Sequence, residues 1–136
     1  MADTIRTFAR KYPFSIICIL TIWYLSIWFI PPHTPLDSVQ FMDKWTHFIM
    51  YGGTCTVIWW EYLRCHKQPQ WGKLLLLGWL APIVMSGCLE LIQEYCTTNR
   101  AGEWLDLAAN STGCTIGNLL GMIYYAAKKR SSTNNN

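Results

Sequence analysis

Charge is scarce in this chain: Asp, Glu, Lys and Arg make up 14% of its 136 residues, against 51% hydrophobic ones, a balance unlike that of a soluble domain of this size. Paired cysteines are lacking as well. None of Cys18, Cys55, Cys65, Cys88, Cys96 and Cys114 stands at the two-residue spacing of a zinc or redox motif. Most lie inside apolar stretches, where a lone Cys behaves as a small hydrophobe, so no disulfide framework is expected. The basic N-terminal stretch leads into an apolar run that closes in Trp28, Phe29, Ile30, Pro31 and Pro32. That run has no small-residue cleavage pattern, which favours an uncleaved anchor over a removable signal. A nucleic-acid recognition module and a Ser-centred nucleophile motif are also missing.

Four uncharged apolar runs are present, at residues 14–30, 48–60, 74–89 and 107–127, each bounded by Lys, Arg, Asp, Glu or Pro. They approach the ~20 residues that an α-helix needs to span a bilayer. The second is short and reaches that length only when extended over residues 45–63, which draws in His47 and Glu61. Nine of the eleven Lys and Arg residues fall into three groups: Arg6, Arg10 and Lys11; Arg64, Lys67 and Lys73; Lys128, Lys129 and Arg130. The positive-inside rule puts all three groups in the cytoplasm. The expected fold is therefore all-α, a four-helix transmembrane bundle with both termini inside. It divides into a cytoplasmic segment 1–12, a membrane domain 13–127 and a basic, disordered tail 128–136.

Six of the eight carboxylates, Asp37, Asp43, Glu90, Glu94, Glu103 and Asp106, then lie at the outer face with only Lys44 and Arg100 as cations. Helical spacing groups them further. Asp43, His47 and Tyr51 recur every four residues along one side of the second span, and Glu90 with Gln93 closes the third. Asp106 and Asn110 open the fourth, and the same stripe continues through Gly113, Gly117 and Gly121, small residues that let a partner backbone approach closely. An ionised side chain facing lipid at mid-span costs ~2.5–3.5 kcal/mol, so these groups are expected to face inward and to meet at one level. Asp43, Lys44, His47, Tyr51, Glu90, Gln93, Arg100, Asp106 and Asn110 are the candidate ligand-binding residues. His47, Glu90, Asp43 and Asp106 are the candidate acids and bases.

The motif Asp43-Lys44-x-x-His47-x-x-x-Tyr51, then Glu90-x-x-Gln93, then Arg100-x-x-Glu103-x-x-Asp106-x-x-x-Asn110-x-x-Gly113-x-x-x-Gly117 resembles the VanZ-like family of small bacterial membrane proteins. The resemblance covers residues 43–121; Glu103 departs from the smaller polar residue, such as Ser or Asp, carried there in the family. It implies a cell-envelope role connected with resistance to the lipoglycopeptide teicoplanin, and it supplies no mechanism.

Three mechanisms fit these residues. In the first, an outer pocket binds an anionic lipid headgroup or a lipid-linked envelope intermediate, with Lys44, His47 and Arg100 on phosphate. In the second, the chain is a membrane-embedded hydrolase or transferase, with His47 and Glu90 moving protons and Arg100 stabilising developing charge. In the third, the polar network only holds helices together in a structural or partner subunit. A metal on Asp43, His47, Glu90 and Asp106 would be assembled from separate helices without a local ligand spacing, so neither metal nor other cofactor is assigned.

Overall fold

The computed structural model describes residues 2–29, 41–98 and 101–134, and all regular structure among them is helical. A first helix, α1 (Ala2–Lys11), is followed by α2 (Pro13–Ile27), with Pro13 in the first turn, where its missing N–H has no intrahelical acceptor to lose. Next come α3 (Met42–Cys65), α4 (Trp71–Cys96) and α5 (Trp104–Asn134). Only α4 among these passes as a membrane span on length and composition together; α2 is apolar but 15 residues long. The helix α5 continues past residue 127, so residues 128–134, expected as a disordered tail, are helical. Lys128 helps to fix this extension by donating from Nζ to the Leu63 carbonyl at the end of α3, 3.1 Å away.

Side-chain contacts give the direction of each helix. Along α3 and α5, Lys44 meets Asp106, Phe48 and Gly52 meet Gly113, Cys55 meets Gly117 and Trp59 meets Gly121, so the two run parallel. Here the glycine stripe acts through close approach. A Cβ at Gly113 would overlap the Phe48 carbonyl, one at Gly117 the Gly52 carbonyl, and one at Gly121 the Trp59 ring. The helices α2 and α4 run the other way: Ser15 lies beside Glu61, and Ser26 beside Gln93. The end of the bundle where α3 and α5 begin and α4 finishes is called the upper end below; the opposite end is the lower.

Helix α4 is not regular. Pro82 has no N–H to offer the Gly78 carbonyl, and the backbone widens into a π-helical stretch over Leu76–Leu80, where the Ala81 N–H reaches the Leu76 carbonyl. Asn118 of α5 fills the gap with its Nδ2, 2.7 Å from the Gly78 oxygen.

The distribution of polarity is inverted relative to a water-soluble bundle. Among the described residues, Ser15, Ser26, His47, Thr54, Glu61, Ser86, Glu90, Gln93, Asp106, Asn110 and Asn118 are buried. Ile17, Leu20, Val84, Leu91, Ile116, Leu119 and Ile123 meanwhile point outward from α2, α4 and α5.

Candidate functional site

At the upper end, Asp43 and Asp106 lie in the first turns of the parallel helices α3 and α5, where exposed backbone N–H groups favour a carboxylate. Between them sits Lys44. Its ammonium is 3.0 Å from Asp43 Oδ2 and 2.5 Å from both Glu103 Oε2 and Asp106 Oδ1. Lys44 is thus already occupied by three carboxylates. An incoming phosphate would have to displace one of them.

One turn further in, His47 is 8% exposed. Its Nε2 faces Asp106 Oδ2 at 3.6 Å and Asp43 Oδ1 at 3.7 Å, both beyond hydrogen-bonding length, and its Nδ1 has no partner. Beneath it, Asn110 donates from Nδ2 to Ser86 Oγ at 2.7 Å, while its Oδ1 accepts no hydrogen bond. Tyr51, deeply buried, also meets Ser86.

Helix α4 supplies the carboxylates that pin the start of α5. Glu90 Oε2 accepts from the Glu103 N–H at 2.9 Å, and Glu94 Oε2 from the Gly102 N–H at 3.0 Å. Gly102 passes so close to the Glu90 carbonyl oxygen that a Cβ there would overlap it. Glu90 is also within electrostatic reach of Lys44, His47 and Asp106, so α3, α4 and α5 deliver their ionisable groups to one cluster. On the outer side of this corner is a cleft of about 400 Å³. Glu90, Glu94 and Glu103 line its polar part, and Val84, Leu91 and Leu107 its apolar wall.

No family model, curated protein or solved structure matches the chain. Asp43, Lys44, His47, Glu90 and Asp106 come together, with Tyr51 and Asn110 in a hydrogen-bonded layer beneath. Gln93 goes elsewhere: its Nε2 donates to the Ser26 carbonyl at 2.8 Å and fastens α2 to α4. Arg100 lies outside the described residues. Gly113, Gly117 and Gly121 face α3.

Two buried polar groups of the lower half were not singled out from the sequence. Glu61, 1% exposed, accepts from the Phe14 N–H at 3.0 Å, the Ser15 N–H at 2.8 Å and Ser15 Oγ at 2.6 Å, capping α2 from the neighbouring helix. Asn118 joins three helices: Oδ1 accepts from Trp59 Nε1 at 2.7 Å, and Nδ2 donates to the Gly78 and Cys114 carbonyls. Pro82 inside an apolar run was the available signal for Asn118, because a proline there leaves a carbonyl that some polar side chain must satisfy.

Proposed function

We propose that this is a VanZ-like protein of the bacterial cytoplasmic membrane, with α2 to α5 as four spans, both termini cytoplasmic, and the upper end at the extracytoplasmic face. The inverted polarity supports the membrane reading, since apolar side chains turned outward and polar ones inward are what hydrocarbon solvent selects. Cations Lys11, Arg64, Lys67, Lys73 and Lys128 at the lower end, against Asp43, Glu90, Glu94, Glu103 and Asp106 at the upper, support the orientation.

In this reading the upper cluster binds an anionic lipid headgroup or a lipid-linked envelope intermediate. Sequestering such a molecule lowers the action of teicoplanin-type lipoglycopeptides at the membrane. The observation that carries the proposal is the cleft beside Glu90, whose apolar wall fits an acyl or prenyl chain while its carboxylates accept hydrogen bonds from hydroxyl or amine groups of a headgroup. With Lys44 engaged, the anionic part falls to the His47 side and to Arg100, whose assignment rests on the sequence alone because it lies outside the described residues. Mass spectrometry of lipids that survive gentle purification tests the reading. One lipid class should be retained by the wild type and lost from folded His47→Ala and Arg100→Ala variants, and expression of the wild type should raise tolerance to teicoplanin. Undiminished retention by both variants contradicts it.

A second reading is favoured by the buried His47 beside Asp106, with Glu90 near: a hydrolase or transferase acting on the same headgroup. It requires that purified protein convert a polyprenyl-linked or phospholipid substrate and that Glu90→Gln stop turnover while retaining the lipid. Absence of product in the wild-type reaction excludes it for that substrate.

A further inference from the structure

We propose that Asp43, His47 and Asp106 bind one divalent transition-metal ion of the zinc type. The first sign is the unusual state of His47. It is nine-tenths buried and its Nδ1 has no hydrogen-bond partner, while its Nε2 is aimed between two carboxylate oxygens at 3.6 and 3.7 Å, beyond hydrogen-bonding length. Such an imidazole in a neutral or charged hydrogen-bonded pair would close to about 2.7–3.2 Å. Two ligands on one tetrahedral ion with bonds of ~2.0–2.2 Å instead sit about 3.4 Å apart, close to what is seen.

The second sign is how Lys44 divides the carboxylates. It takes Asp43 Oδ2 and Asp106 Oδ1, and so leaves Asp43 Oδ1 and Asp106 Oδ2 turned toward His47. Outer oxygens held by a cation with inner oxygens free is the arrangement by which neighbouring groups orient metal ligands. All three ligand atoms lie within 4.8 Å of one another, so closing the set on one ion requires Asp43, whose side chain is 56% exposed, to turn inward and give up part of its Lys44 contact.

Charge points the same way. Among the described residues, Asp43, Glu90, Glu103 and Asp106 surround a single ammonium, an excess of carboxylates that a bound cation would offset. One imidazole with two carboxylates suits Zn²⁺, Co²⁺ or Mn²⁺ rather than Ca²⁺ or Mg²⁺, which take oxygen ligands. Three protein ligands leave a position open to water or to a headgroup oxygen. The ion would supply the positive charge that Lys44 does not offer to an anionic headgroup, but its binding does not depend on the lipid reading.

Cobalt is the probe. The purified full-length chain in detergent, stripped with a chelator and titrated with Co²⁺, should take up one equivalent, develop visible d–d absorption and lose it when Zn²⁺ is added. His47→Ala and Asp106→Asn should each weaken uptake by more than about tenfold, with circular dichroism and elution unchanged, and His66→Ala, at the lower end, should match the wild type. If one variant does not fold, the wild-type spectrum and the other variant decide. The proposal is overturned by a folded wild type that shows no Co²⁺ spectrum. It is equally overturned by sulfur-to-cobalt charge transfer, which would place the ion on thiols, or by unchanged binding in either folded variant.

Discussion

Where α3 closes, Glu61 is almost wholly enclosed and its carboxylate accepts three hydrogen bonds from α2. Where α3 opens, His47 is enclosed nearly as well and accepts or donates none. The same contrast holds for the two asparagines of α5. Asn118 uses both ends of its amide on three helices, whereas Asn110 leaves Oδ1 without a donor. A buried polar group that satisfies itself within the fold is accounted for by stability, because leaving it unpaired is costly. One held in place with capacity to spare needs another explanation, and at the upper end the explanation we propose is a ligand.

Substitutions should separate the two ends by the size of their effect on folding. The largest loss is expected for Glu61→Ala, which strands two N–H groups and a hydroxyl in a dry environment. A cost of about 3 kcal/mol or more follows from an unsatisfied-group penalty of ~1–3 kcal/mol each, read as a collapse of the thermal transition in detergent. Gly117→Val should come next, at about 1–3 kcal/mol. Its side chain would meet the Gly52 carbonyl and Cys55 Cβ, forcing α3 and α5 apart. Asn118→Leu should cost about 1–2 kcal/mol by leaving the Gly78 carbonyl and the Trp59 N–H buried without their partner, visible as a lower Tm and altered Trp fluorescence. Smallest is His47→Phe, expected within about 1 kcal/mol of wild type because no hydrogen bond is lost, yet with lipid and cobalt binding gone. A His47 variant as damaged as Glu61→Ala would erase the distinction between the ends.

The upper cluster was legible from spacing because its pairs are local. Asp43 with His47, and Asp106 with Asn110, each differ by one helical turn, and a helix puts such residues on one face. Lys44 was legible as a residue of the site but not in its role, since its three carboxylates come from two different helices and a loop. Gln93 shared the helical spacing of Glu90 yet turned to the Ser26 carbonyl, a backbone acceptor that no side-chain pattern reveals. The same reason hid Glu61, whose partners are mainly main-chain amides far away in sequence. The apolar runs marked the cores of α2 to α5 but not their full extent, because polar end turns such as residues 128–134 stay helical without being apolar.

The most direct test compares thermal unfolding of His47→Ala and Glu61→Gln in the same detergent, with retained lipid measured on each folded sample. The account predicts a large fall in Tm for Glu61→Gln only, and near-wild-type unfolding with loss of the bound lipid for His47→Ala. A comparable fall in Tm for both variants, or a His47→Ala protein that keeps its lipid, would contradict a ligand site at the upper end and leave its polar groups as helix packing.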